Sequence, residues 1–168
     1  YSALEAGLAQ LPFAVGSATA SLLGGRLVER LGRALVVTGL LLIGVALIVV
    51  DLLVPHLSGD VGLKLAPVLL LAGLGGGLVI TPNITLSLDE VEPARAGAGG
   101  GLLQTAQRVG SAIGVAIVLA LFFERVRSSG GDFAEALSYS LHVTIAFVLV
   151  ALAMGVVDLV RRARDASS

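Results

Sequence analysis

Apolar residues run along this chain in five long blocks separated by short polar stretches. The blocks cover roughly residues 3–23, 34–54, 65–88, 100–123 and 137–160. Each reaches the length of about 20 residues that a helix needs to cross a bilayer. All are too long for ordinary strands, and in lipid a helix satisfies its own backbone hydrogen bonds. The pattern therefore predicts an all-α integral membrane fold with five transmembrane helices. The linkers carry ordinary turn formers: Pro55, Ser58, Gly59 and Asp60, then Asp89, Glu90, Glu92, Pro93 and Arg95, then Ser128 to Asp132.

Composition strengthens the membrane reading. Of the 168 residues, 56% are hydrophobic and only 14% charged, against roughly a quarter charged in soluble domains. The mean hydropathy is +0.98. A net charge of −1 with no basic block argues against a nucleic-acid partner. The chain has no cysteine, so thiol chemistry and cysteine metal sites are excluded. Its two histidines stand far apart and outside any HExxH spacing. Gly110-Ser111-Ala112-Ile113-Gly114 is not a G-x-S-x-G elbow. Gly97-Ala98-Gly99-Gly100-Gly101 fails G-x-G-x-x-G because Leu102 takes the last place. No enzyme and no cofactor are expected. Tyr1 is followed at once by a span with no basic segment before it. That is unlike a signal peptide and is expected of a piece of a longer polypeptide.

Charge sets the expected orientation. Arg26, Arg30, Arg33, Arg95, Arg161, Arg162 and Arg164 fall on one face, and Lys64, Arg125 and Arg127 on the other. By the positive-inside rule the first face is cytoplasmic, so the chain starts outside and ends inside the cell membrane.

The five spans differ in polarity. The second has Thr38 as its one polar interior residue, and the fifth is as apolar between Val143 and Val157. Helices apolar all round suit a peripheral, lipid-facing place. The first, third and fourth are rich in small residues, with GxxxG spacing at Gly97/Gly101 and Gly110/Gly114, and are expected to face other protein. Gln104, Gln107, Arg108 and Ser111 share one arc of the fourth span. Arg108 lies about two turns inside the apolar run. Either it lines a cavity and meets substrate, or it snorkels to the cytoplasmic edge, or it is a hydrogen-bonding hub. In the third span, Gly73, Gly75, Gly76 and Gly77 precede Thr81, Pro82 and Asn83. Pro82 removes one helical hydrogen bond, so the segment is either a hinge that bares polar backbone or a tight packing face with a fixed kink. Glu5 suits a helix N-terminus. Asp158 is expected to pair locally with Arg161 and Arg162. His142 and Asp51 are placed near the outer ends of their spans.

One stretch concentrates charge between two apolar blocks: Gly24 to Arg33, GGRLVERLGR, read as a charged turn. Gly25, Glu29, Arg30, Gly32 and Arg33 in it resemble the G-x-x-x-D-R-x-G-R signature of the major facilitator superfamily, with Glu29 in place of aspartate. In that superfamily the second copy of the signature lies between the eighth and ninth core helices. The five spans would then be the last five helices of the C-terminal half. SALEAGLAQLPFAVGSA and AGAGGGLLQTAQRVGSAIGVAI are similar to the fourteen-span drug/proton antiporter subfamily. The resemblance implies proton-coupled efflux of amphipathic small molecules by alternating access. It implies as partners the bilayer, the N-terminal half of the same polypeptide, substrate and protons. It further implies that Glu29 docks on a helix of the N-terminal half, and that the third span lines the cavity. A positive-inside anchor would use Arg26, Arg30 and Arg33 but leaves the glycines and Glu29 without a role. A small membrane anchor or assembly subunit is the alternative from another class.

Overall fold

The computed structural model describes residues 2–56, 61–88 and 91–165. These residues form six α-helices: α1 (Ala3–Ala9), α2 (Leu11–Leu31), α3 (Arg33–Leu53), α4 (Val61–Leu88), α5 (Ala96–Ser128) and α6 (Phe133–Asp165). Short 3-10 turns at Val54–His56 and Pro93–Arg95 complete the described structure. Five helical units are long and apolar enough to span a membrane, with α1 and α2 acting as one.

Local chemistry sets the boundaries. Ser2 and Glu5 form a reciprocal capping box at the start of α1: the Ser2 amide donates to Glu5 Oε2 at 2.7 Å, and the Glu5 amide to Ser2 Oγ at 3.3 Å. Glu5 is thus a cap. The helix breaks at Gln10 because Pro12, in the next first turn, has no N–H to continue it. The α5–α6 connection turns on Gly130 and Gly131, both with positive φ. Asp132 then caps α6 by accepting from the Glu135 amide at 3.0 Å.

The charged segment is not a ten-residue turn. Helix α2 continues to Leu31, and the chain reverses at Gly32 alone, with φ +49° and ψ −125°. A side chain strongly disfavours that conformation, so one glycine suffices where the polarity pattern suggested a loop. Helices α4, α5 and α6 also outrun their apolar blocks, whereas α3 matches its own to within a residue. At 33 residues each, α5 and α6 are about 50 Å long by helical rise.

Helix α4 is wedged between α2 and α3. Gly73 and Gly77 face α2, where Gly16, Ala20 and Gly24 are buried; Gly75 points the other way, onto Gly39 of α3. At the Gly39–Gly75 crossing, a Cβ on either residue would lie 2.6–2.7 Å from the other's carbonyl oxygen. The backbones touch directly, as membrane helices do through small residues. Helix α4 runs unbroken through Pro82, which is fully buried and packs beside Gly24. The glycine-rich run is therefore a two-sided packing face.

The order across the bundle is α2, α4, α3, α6, α5. Helix α3, expected at the periphery, holds the middle of this row. Hydropathy cannot distinguish a lipid tail from an apolar neighbouring helix; Gly39 and Ala46, the latter 1% exposed, make α3 a packing helix. Helix α5 packs chiefly on α6, and none of its residues is buried. Gly97, Gly101, Gly110 and Gly114 have open space where a Cβ would stand, so the two GxxxG pairs make no close crossing among the described residues.

Candidate functional site

The residues singled out in the sequence fall into three places. The first is the Gly32 end of the bundle. Glu29 and Arg30 lie on the last turn of α2, both exposed, and neither has a hydrogen bond or ion pair among the described residues. Arg33 begins α3, and its Nη1 pairs with Asp158 Oδ2 on α6. Asp158, expected to pair locally with Arg161 and Arg162, reaches across 125 positions of sequence to Arg33 and makes no ion pair with Arg161 among the described residues; the Arg162 side chain lies outside them. The physical reason is register: α3 starts where α6 is finishing, so their polar ends meet. The Arg33 Nε is buried without a hydrogen-bond partner. Arg33 is therefore turned into the bundle, while Glu29 and Arg30 are turned out.

Gly25 of the motif lies within α2. It is exposed, and a Cβ there would sit 3.8 Å from Thr81 Cγ2, an ordinary contact. Close approach between helices is handled deeper in the bundle by Gly16, Gly73 and Gly77, and reversal by Gly32.

The second place is a cleft of about 420 Å³ over α3, between α4 and α6. Arg33, Asn83, Ser87 and Asp158 supply its polar lining; Val36, Leu40, Val79 and Met154 are among its apolar residues. Of the Thr81-Pro82-Asn83 group, Asn83 alone lines it: Thr81 is half-buried toward α2 and Pro82 is in the core. The cleft brings together Arg33 and Asn83, which the sequence kept apart, and adds Asp158, which sequence reasoning spent elsewhere. A carboxylate directly after the apolar run Val143–Val157 of α6 was the available signal.

The third place is α5. Gln104, Gln107, Arg108 and Ser111 do share a face, as helical spacing requires, and all four are exposed. Arg108 has no ion pair among the described residues and lines none of the clefts above.

At the bundle's opposite end, a polar clasp joins α3 to α6. Asp51 Oδ1 accepts from Ser138 Oγ at 2.5 Å, and Oδ2 lies 3.0 Å from His142 Nε2. Arg125 of α5 pairs with Glu135 at 2.5 Å and stacks over the Tyr139 ring. No group of three or more metal-ligating side chains occurs among the described residues.

Comparison with known proteins bears on this arrangement. The family model described as Major Facilitator Superfamily matches residues 1–115. Puromycin resistance protein pur8 of Streptomyces alboniger is 34% identical over 120 residues, which is 70% of this chain and 24% of that protein. Drug efflux pump JefA of Mycobacterium tuberculosis (strain ATCC 25618 / H37Rv) is 35% identical over 120 residues, 70% of this chain and 22% of its own length. Cephamycin export protein CmcT of Amycolatopsis lactamdurans is 33% identical over 159 residues, 92% of this chain and 30% of its own length. The chain thus spans less than a third of each of these relatives. No solved structure matches it.

Proposed function

Since this chain belongs to the major facilitator superfamily, we propose that it forms the last five helices of the C-terminal half of a proton-coupled exporter of amphipathic drugs, of the fourteen-span drug/proton antiporter kind. The observation that carries the reading is the motif Gly25, Glu29, Arg30, Gly32, Arg33 at a helix–glycine–helix junction between the first two spans. The names of the relatives, a puromycin resistance protein and a drug efflux pump, point to the same class of cargo.

In this reading the Gly32 end is cytoplasmic and the membrane is the cell membrane. Two rigid halves rock about a midplane site, opening alternately to either side. The motif is the inner latch. Glu29, on the last turn of α2, has no ion pair among the described residues, and a carboxylate favours the positive N-terminal end of an opposing helix. The open faces of α5, with its unfilled glycines and the polar arc from Gln104 to Ser111, are where the rest of the same polypeptide packs. Arg108 on that arc then lies between the halves, where a membrane-embedded charge finds water or a partner. Thr81 and Asn83 on α4 are candidates for cavity contact.

The test is expression of the complete coding sequence in a drug-sensitive host, followed by accumulation of a lipophilic cationic dye. The reading expects less dye than in the vector control, with the difference erased by a protonophore. Accumulation equal to the control across dyes and drugs would contradict it.

A further inference from the structure

The Gly32 end contains a division of labour that the motif alone does not reveal. Glu29 and Arg30 are exposed and unpaired among the described residues, whereas Arg33, three positions beyond Arg30, is tied to the far end of the chain. Asp158 is the sole partner of Arg33 among the described residues. The Arg33 side chain is 31% exposed and that of Asp158 41%. The Arg33 Nε is buried and unpaired, and the residue lines the cleft alongside Val36 and Leu40, so its side chain lies within the bundle. A half-buried guanidinium stripped of its carboxylate is a charge without compensation. Gly32, by contrast, has no side chain with which to reach α6: among the described residues the reversal is held locally only by backbone bonds, its amide donating to Val28 O at 2.8 Å and its carbonyl accepting from the Leu35 amide at 3.3 Å.

We infer that Asp158 is a positioning residue for the α2–α3 junction: by seating Arg33 against α6 it fixes the direction of the Gly32 reversal, and so presents Glu29 and Arg30 outward. Arg33 is then an internal anchor, and Glu29 and Arg30 are the motif's outward-facing charges. The inference deepens the proposal that this junction is the inner latch and rests on it for its functional meaning. The contact itself stands on geometry. Its consequence is that the first helix pair and the last helix are coupled at the motif, so that a movement of α6 reaches Glu29 through one ion pair.

The test uses nitroxide spectra of the complete polypeptide in lipid nanodiscs, in a cysteine-free background. One label is placed at Leu31→Cys, beside the junction, and a control at Leu52→Cys, at the other end of α3; both positions are exposed. Asp158→Asn is expected to lower the immobilised fraction at position 31 and leave position 52 unchanged. Asp158→Glu, which keeps the charge, and the double exchange Arg33→Asp with Asp158→Arg are expected to return the position-31 spectrum to that of the parent. If Asp158→Asn does not fold, the double exchange decides alone. A position-31 label as immobile in Asp158→Asn as in the parent, or as mobile in the double exchange as after losing the pair, overturns the inference. Because no flux is measured, failure of the exporter reading would show in dye accumulation and leave these spectra as they are.

Discussion

Gly32 and Gly25 sit seven positions apart in the same motif and carry different burdens. Gly32 has φ +49° and ψ −125°, outside the regions open to a side chain. Gly25 is ordinary exposed helix with room for a methyl group. Gly32→Ala is therefore expected to destabilise the protein by about 1–3 kcal/mol through backbone strain. Gly25→Ala is expected to be neutral or to stabilise by up to about 1 kcal/mol through helix propensity. Thermal unfolding in detergent compares the two; equal losses at both sites would contradict the assignment. A stable Gly25→Ala protein that fails to export would place the need for that glycine across the interface between halves. The residue scale is also where the sequence was least informative. Gly, Glu and Arg at the right spacing identify a motif, but they do not say which arginine turns inward. That depends on Asp158, whose position is set by how two helices 125 residues apart come into register.

Among the elements, α4 is the spine of the row. Its glycines alternate between two neighbours: Gly73 and Gly77 serve α2, and Gly75 serves α3. The helical period explains this, since positions 73 and 77 share a face and 75 is opposite. Gly75→Val is expected to open the α3–α4 crossing, because its Cβ would meet the Gly39 carbonyl oxygen at 2.7 Å, and that atom is backbone. Overpacking of this kind costs on the order of 1–3 kcal/mol. Gly76→Val, on the same stretch but with only a ring atom of Phe13 3.8 Å away, is the milder control. Similar unfolding temperatures for both would argue that the run is a flexible hinge after all. The five spans were legible because twenty apolar residues in a row admit few other structures. Their polar extensions were not, since charged helix ends beyond the hydrocarbon look like loops to a hydropathy pattern. The central place of α3 was hidden for a related reason: its packing face is made by Gly39 and Ala46, which no hydrophobic contrast marks. The clasp of Asp51 with Ser138 and His142 was equally unmarked. Each of its members reads alone as an interfacial polar residue, and only the α3–α6 pairing joins them.

For the molecule as a whole, the packed slab of α2, α4 and α3 contrasts with an open α5. Under the proposed function, the open side of α5 is where the rest of the polypeptide packs. The latch proposal makes its own prediction. Glu29→Gln in the complete protein removes a charge that makes no ion pair among the described residues, so stability should change by less than about 0.5 kcal/mol. Export should nonetheless fall, and modification of a cysteine placed in the cavity should become easier from the cytoplasmic side. Unaltered export with unaltered accessibility would remove Glu29 from the mechanism. The central claim, that this chain is the C-terminal part of a machine exchanging protons for amphipathic drugs, is tested most directly in proteoliposomes. The complete purified polypeptide is reconstituted, a pH gradient is imposed, and drug and proton movements are followed together. The account predicts drug flux against the proton flux, with protons released on the side where drug is taken up. Drug flux that ignores the gradient, or a proton leak that ignores the drug, would contradict it.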